Sequence, residues 1–252
     1  LHDESNIKQI FYEIEKHERT DALIKLLLHF QPVSCIIFCN RKQQCQDLAE
    51  DLCRQGFHAL ALHGDLDQKQ RDQALLQFTN KSSSILIATD VAARGLDIVD
   101  LQAVINFELS QDPEIHIHRI GRTGRAGKEG LALSLFMPSE TPKITAIEKY
   151  QNNPVRIENI SSLTVSAETI NNLEPTMVTL LISGGRKDKV RAGDILGALT
   201  ANEKITGQQI GKIDILDVFS YVAVDKKIAR QALNILSEGK IKGRKFRVRK
   251  LN

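Results

Sequence analysis

Short apolar runs alternate with amphipathic stretches from Ile7 to about Met137, and this alternation restricts the possible folds more than any other feature of the sequence. The runs lie at 35–40, 59–64, 84–90, 103–109 and 131–137, and a further run at 7–14 is compatible with an edge strand. Apolar residues three and four positions apart predict helices between them, at 20–30, 42–55, 68–80 and 113–122. Strands that alternate with helices predict a parallel, doubly wound α/β sheet.

The pattern changes after residue 150. Residues 151–174 are rich in Asn, Ser and Thr, with little periodicity, and we interpret them as a linker with some short structure. From 175 to 252 the predicted order is βαββαβ, which is typical of the small α+β ferredoxin-like fold shared by RNA recognition motifs. We therefore predict a doubly wound α/β domain at 1–150, a linker at 151–174 and an RNA recognition motif-like domain at 175–252.

The charge is distributed unevenly between these parts. Residues 1–174 hold 18 Lys and Arg against 24 Asp and Glu, whereas residues 175–252 hold 16 against 7. The net charge is therefore −6 for residues 1–174 and +9 for residues 175–252. A small basic module of this kind is typical of a polyanion-binding domain, because neutralisation of phosphates dominates nucleic-acid affinity. The alternative is a solvated charged face.

Other features of the sequence bear on the compartment. No stretch has the roughly 18 apolar residues that a membrane-spanning helix needs, and the first residues resemble no export signal. The four cysteines lack the CxxC spacing of zinc sites, so we expect thiols in a reducing cytoplasm, no bound metal and no membrane contact. They are Cys35, Cys39, Cys45 and Cys53.

The densest functional signal is HRIGRTGRAG at 118–127, which places Arg119, Arg122 and Arg125 among glycines. Guanidinium groups suit a triphosphate, and arginine fingers stabilise the charge that spreads over phosphoryl oxygens during transfer. A second segment, ATDVAARGLDI at 88–98, follows a predicted strand. There Asp97 is placed to accept from a ribose hydroxyl and Thr89 to contact a phosphate.

These segments resemble the motifs of the second RecA-like domain of DEAD-box helicases. IIFCN at 36–40 resembles motif IV, HGDLDQKQR at 63–71 the QxxR motif, ATDVAARGLDI motif V, and HRIGRTGR motif VI. The resemblance implies arginine fingers at Arg122 and Arg125, and a ribose contact at Asp97 with Gly95. It implies that His118 and Arg119 link motif VI to neighbouring motifs beside the nucleotide. The RNA backbone contacts that it implies are Arg41, Gly64, Asp65, Gln68 and Thr89.

Two motifs of a complete ATP site are absent from the sequence. No GxxxxGK[ST] occurs, and the HDES at 2–5 is a poor match to the acidic DEAD box. We therefore expect ATP and Mg²⁺ to be bound mainly by an N-terminal RecA-like domain missing from this sequence. Negligible ATP hydrolysis is expected from the 252 residues alone.

In the basic module, Phe219 and Tyr221 lie on one face of a predicted strand, as do the aromatic residues that stack on bases in RNA recognition motifs. The alternative is a pair of rings that covers the sheet's own core. Basic residues cluster at 184–194, where a helix N-terminus is predicted to bind phosphate, and at 240–250. The predicted RNA contacts there are Arg186, Lys187, Lys189, Arg191, Lys242, Arg244, Arg247 and Arg249.

This module resembles the C-terminal domain of bacterial DEAD-box proteins that act in assembly of the large ribosomal subunit, which implies binding to a 23S rRNA hairpin. Two alternatives remain open. One is a non-enzymatic RNA-binding adaptor with a degenerate helicase domain, and the other is a helicase that acts on DNA. All of these interpretations require that the arginines of motif VI face outward from the sheet margin.

Overall fold

The computed structural model describes residues 6–96, 98, 100–124, 129–165, 174–201 and 204–251. Its contacts divide the chain into a first unit, Leu1–Leu75 with Ser83–Glu174, and a second unit, Leu76–Ser82 with Pro175–Asn252. None of the helices in the described part of the chain is both long and apolar enough to span a bilayer.

The first unit is built on a parallel sheet of seven strands, which confirms the predicted α/β architecture. In chain order they are β1 (Ile7–Glu13), β2 (Cys35–Phe38), β3 (Ala59–Leu62), β4 (Ile85–Ala88), β5 (Ala103–Asn106), β6 (Gly130–Phe136) and β7 (Arg156–Asn159). Across the sheet the order is β3-β4-β2-β5-β6-β1-β7, with every neighbouring pair parallel.

The position of β1 differs from the sequence-based prediction. It lies inside the sheet, between β6 and β7, and does not form the edge. The edge position belongs to β7, within the segment interpreted as a linker. β7 escaped prediction because three of its four residues are exposed, so an edge strand of this kind carries no apolar pattern.

Six α-helices lie before residue 152 in the described part of the chain. They are α1 (Arg19–Phe30), α2 (Lys42–Arg54), α3 (Gln68–Thr79), α4 (Asp90–Ala93), α5 (Pro113–Ile120) and α6 (Thr141–Gln151). Leu23, Leu27, Leu48 and Leu52 of α1 and α2 pack on one face of the sheet. Ile144 and Ile147 of α6 pack with Phe11 and Phe136 on the other. The sequence did not predict α4, which is four residues long, or α6, where only two side chains are buried.

Packing of the first unit continues past β7. Leu163 is buried in the main core of the unit, and the Thr164 carbonyl lies 2.8 Å from Nδ1 of His29 on α1. The chain therefore leaves the body of the first unit later than the predicted linker boundary at residue 151.

The second unit has the predicted βαββαβ order. Its elements are β8 (Met177–Ile182), α7 (Ala192–Thr200), β9 (Ile210–Ile215), β10 (Ser220–Asp225), α8 (Ala229–Glu238) and β11 (Val248–Lys250). The four strands pair antiparallel in the order β11-β8-β10-β9. Both helices cover one face, where Ile195 and Leu236 meet Leu180 and Val222 of the sheet. This is the ferredoxin-like arrangement, and the prediction is confirmed.

Candidate nucleotide and RNA sites

The carboxyl ends of the parallel strands bring the motif residues of the first unit to one edge of the sheet. Asn40 follows β2, Asp65 follows β3, Thr89 follows β4 and Glu108 follows β5. Open α/β sheets bind ligands at this edge, because the loops that leave the strands converge there.

Arg119 of α5 lies at the centre of this edge, and all five of its N–H donors are engaged. Its Nε and one terminal nitrogen form a bidentate pair with the Asp90 carboxylate, at 2.6 and 2.7 Å. The remaining donors reach the side chains of Asn106 (3.1 Å) and Asn40 (3.0 Å) and the carbonyl of Glu108 (2.7 Å). Only 1% of the Arg119 side chain is exposed.

The role of Arg119 is therefore to join motif VI to motifs IV and V. The guanidinium also lies 5.0 Å from the centre of the Phe38 ring, and its partner Asn106 donates to Ser134 of β6 at 3.0 Å. The suggestion that Arg119 binds the nucleotide itself is corrected by this geometry, because no donor is left for a phosphate. Arg119 also does not face outward from the sheet margin. The helicase interpretation therefore requires that Arg122 and Arg125 face outward.

Arg122 is the half-buried arginine of the turn that follows α5. It donates to the carbonyl of Leu96, at the end of motif V, at a distance of 2.8 Å. The backbone carbonyl of Arg122 accepts a hydrogen bond from the amide of Leu101 at 3.1 Å. Both the side chain and the backbone of Arg122 therefore bind residues that lie between α4 and β5. Asp97 and Arg125, the predicted ribose contact and second finger, lie outside the described residues.

Gly95 and His118 are the remaining predicted residues of the nucleotide site. Gly95 is exposed and has a φ of +77°, a left-handed conformation that glycine adopts without strain. His118 is exposed on α5, whereas His116, two positions earlier, points inward. Their predicted nucleotide contacts stay predictions.

The predicted RNA contacts of the first unit lie around the first turns of α2 and α3. Asp65 accepts from Lys42 Nζ at 2.7 Å, and this hydrogen bond holds the pKa of the Asp65 carboxyl below its usual range. A Cβ at Gly64 would lie 3.3 Å from Cε of the same lysine. Lys42 was not among the predicted RNA contacts. A basic residue in the first turn of a helix that follows a strand is, however, a sequence signal by which such a contact could have been predicted.

The other three predicted contacts have different environments. Arg41 is exposed at the N-cap of α2, and Gln68 is exposed at the start of α3, where it donates to Asp72 at 2.7 Å. Thr89 is buried and caps α4 by accepting from the amide of Ala92. The structure brings Thr89 to the same sheet edge as the others.

His116 gives the first unit a pH dependence that can be measured. Burial, with a smaller contribution from Arg119, lowers its pKa from 6.5 to about 3. Below pH 6.5 the unfolded chain binds a proton that the folded chain does not, so stability present at neutral pH is lost as the pH falls towards 3. Each pH unit in this range costs about 1.4 kcal/mol of the free energy of unfolding.

We therefore expect His116→Gln to flatten the loss of stability between pH 6.5 and about 4, because glutamine does not titrate. Native-state hydrogen exchange of the first unit at several pH values measures this. His118→Gln is the matched control, since His118 is exposed, and it should leave the profile unchanged. Equal profiles for the unaltered chain and His116→Gln would contradict the prediction.

In the second unit, three loops meet at one end of the sheet, which we call the loop end: residues 183–191, 216–219 and 239–247. Ser183 donates from its amide to the Arg247 carbonyl (2.9 Å), and the Arg186 amide donates to Leu216 (2.8 Å). Lys242 Nζ donates to the Lys189 carbonyl at 2.9 Å. The loop residues of the two basic clusters, about 50 residues apart in sequence, therefore form one surface.

The cations of the loop end are exposed. They are Arg186, Lys187, Lys189, Arg191, Lys240, Lys242, Arg244, Lys245 and Arg247. Only two acids lie in the same loops: Asp217 is 3.5 Å from Arg186, and Asp188 accepts from the amide of Gly185. At the start of α7, the Asp194 carboxylate accepts from the amide of Arg191 at 2.9 Å, so this amide is already engaged.

The aromatic residues of β10 occupy the sheet face opposite the helices. Tyr221 pairs with Leu181 on β8 and clusters with it and Leu251, leaving 3% of its surface exposed. Tyr221 thus takes the alternative role of a ring that covers its own sheet, and a base can stack on it only if it is uncovered first. Phe219 is half-buried just before β10, and Arg249 is exposed on β11. Their RNA contacts stay predictions.

Comparison with family models assigns both parts of the chain. The helicase conserved C-terminal domain matches residues 18–127, and the DbpA RNA binding domain matches residues 179–250. The fold and the sheet-edge site thus define the C-terminal part of a helicase, followed by an RNA-binding domain.

Two curated relatives support the same assignment. The chain is 46% identical over 245 residues to the ATP-dependent RNA helicase DbpA of Escherichia coli, covering 97% of the chain and 53% of that protein. It is 30% identical to DbpA of Bacillus subtilis, covering 98% of the chain and 55% of that protein. The chain spans about half the length of these curated relatives.

Solved structures match the first unit. A DEAD-box protein from Methanococcus jannaschii has a TM-score of 0.59 and 42% identity, covering 62% of this chain and 43% of that one. Escherichia coli SrmB, solved with the regulator of ribonuclease activity A, has a TM-score of 0.58 and 30% identity, covering 64% of this chain and 94% of that one. The chain belongs to the DEAD-box protein family, as a C-terminal portion similar to DbpA.

Proposed function

We propose that this chain is the C-terminal part of an ATP-dependent RNA helicase that acts in assembly of the large ribosomal subunit. The second unit binds a hairpin of 23S rRNA, and the first unit supplies Arg122 and Arg125 to an ATP site completed by an N-terminal RecA-like domain. The observation that carries the RNA-binding part of this proposal is the loop end, where two distant basic clusters form one exposed surface.

Arg122 is the described residue that we propose to contact the phosphates of ATP at the sheet edge. Arg122 is held at the end of motif V by its bond to Leu96, and Gly95 gives that loop its left-handed turn. When bound, ATP supplies the phosphoryl group whose hydrolysis drives the cycle. The contribution of this chain is arginine fingers that stabilise charge on the phosphoryl oxygens and a set of residues that contact the RNA backbone. Mg²⁺ is proposed to be held by the N-terminal domain.

When the second unit binds RNA, it raises the local concentration of duplex near the first unit, and this serves the helicase. Contacts to phosphates position the protein without reading sequence, so recognition of a particular hairpin requires base contacts as well. The cytoplasm is the proposed location of the protein.

Charge reversal at the loop end tests the proposal. We expect Arg186→Glu, Lys187→Glu and Arg191→Glu together to weaken binding to a 23S rRNA hairpin at least about ten-fold. The slope of log affinity against log salt should fall by about 0.9 for each phosphate that the variant no longer neutralises. Fluorescence anisotropy at several salt concentrations gives both quantities.

A control variant, Lys212→Glu, Lys226→Glu and Lys250→Glu, makes the same change in net charge away from the loop end. It should retain most of the affinity and nearly the full slope. If both variants lost affinity equally, the effect would be one of net charge alone, and a loop-end variant with an unchanged slope would exclude phosphate contacts there.

A further inference from the structure

A second basic surface lies on the helical side of the second unit, in a groove between α7 and α8. The groove has a volume of about 790 Å³. Its described lining includes four cations and one carboxylate, that of Glu238; the cations are Lys204, Lys227, Arg230 and Lys240. All four are exposed, and they were not among the RNA contacts predicted from the sequence.

One wall of the groove is formed by α8 and the 3-10 turn that precedes it, Lys226–Ile228. Ile228, Ala232 and Leu236 face the core, whereas Arg230 and Asn234, which lie between them, are exposed. Lys227 and Arg230 stand one turn apart on the outward side, and Gln231 and Asn234 continue the same stripe. A helix of this length rises about 15 Å, so the stripe can follow more than one phosphate of a strand.

The chemistry of the lining favours a nucleic-acid strand over a peptide. Its described residues include no aromatic side chain and one large aliphatic residue, Ile235. A peptide helix that binds in a groove needs apolar pockets for its anchors, and these are lacking from the described lining. Ammonium and guanidinium groups next to side-chain amides suit phosphate oxygens and ribose hydroxyls.

The groove is continuous with the loop end. Lys240 belongs to its lining, and Lys242, two residues further on, is bonded to the Lys189 carbonyl at the loop end. We propose that the groove between α7 and α8 binds the backbone of a single RNA strand that extends from the hairpin held at the loop end. This inference rests on the proposed function, since it assigns a second contact surface to the same RNA-binding unit.

The test uses the full chain and two RNAs: a 23S rRNA hairpin, and the same hairpin with a single-stranded extension. Lys227→Gln with Arg230→Gln should weaken binding to the extended RNA about ten-fold. The salt slope should be lower by about 1.4, because each of the two cations neutralises one single-strand phosphate and contributes roughly 0.7. Binding to the bare hairpin should not change. Lys212→Gln with Lys250→Gln, a pair of exposed lysines on β9 and β11, is the matched control.

Crosslinking from thiouridine placed in the extension should map to α8 peptides by mass spectrometry. The inference is overturned if the groove variant binds both RNAs like the unaltered chain, or if it loses affinity equally for both. If the unaltered chain binds the hairpin no better than an unrelated RNA, the proposed function itself fails. Binding of the hairpin with no gain from the extension overturns the groove alone.

Discussion

Replacing Arg122 by alanine should lower the rate of RNA-stimulated ATP hydrolysis by roughly 10³-fold or more, which is the range for removal of an arginine finger. The measurement needs a fusion that places the N-terminal RecA-like domain of the Escherichia coli relative ahead of this chain. The rate constant kcat should fall while KM for ATP changes little, because the guanidinium acts on charge that develops during transfer. The 252-residue chain alone serves as the blank.

Two variants separate this role from a structural one. Arg122→Lys keeps the positive charge but loses the planar fork, so it should recover little of the rate. Arg54→Ala removes an exposed arginine of α2 whose partner is Asp51, and it should hydrolyse ATP like the unaltered fusion. A decrease smaller than about ten-fold in Arg122→Ala would remove this residue from the catalytic machinery.

Replacing Arg119 by alanine should cost the first unit about 3–5 kcal/mol of its free energy of unfolding. The substitution removes a buried guanidinium from the Asp90 carboxylate, and it leaves the oxygens of Asn40, Asn106 and Glu108 without their donor. A buried acceptor that loses its partner bears the full cost of desolvation. Native-state hydrogen exchange of β2 and β5 amides measures the change.

Arg54→Ala again provides a comparison, because its salt bridge is exposed and should contribute less than about 1 kcal/mol. Arg119→Lys should lie between the two, since an ammonium can reach only part of the same acceptor set. If Arg119→Ala lowers the free energy of unfolding as little as Arg54→Ala does, the acceptors find other partners. The hydrogen-bond network of Arg119 then contributes little to the stability of the first unit.

The sequence predicted the parts of the fold that are marked by apolar periodicity. Six strands of the first unit and all of the second unit were recognised in this way. β7 was not recognised, because Arg156, Ile157 and Asn159 are exposed and an edge strand held by backbone pairing has no pattern to read. The internal role of Arg119 was also open to sequence reasoning, since His116, Arg119 and Ile120 share the spacing of a buried helix face.

Other properties of the site depend on contacts that no local pattern records. Lys189 and Lys242 lie 53 positions apart, and only the sheet order brings their loops together. Likewise, Tyr221 was placed on one face of β10, but its burial depends on Leu181 of β8, Leu251 just after β11 and Leu76 of α3. Local periodicity predicts which face a residue occupies, whereas exposure also depends on which elements cover that face.

The burial of Leu163 shortens the stretch of chain that connects the helicase domain to the RNA-binding domain. A free segment from residue 151 to 175 could extend to roughly 85 Å, but from Leu163 to Pro175 a fully extended chain covers at most about 43 Å. A short connection keeps the effective concentration of captured RNA high. For the proposed function, the first duplexes to test are therefore those that lie close to the proposed hairpin.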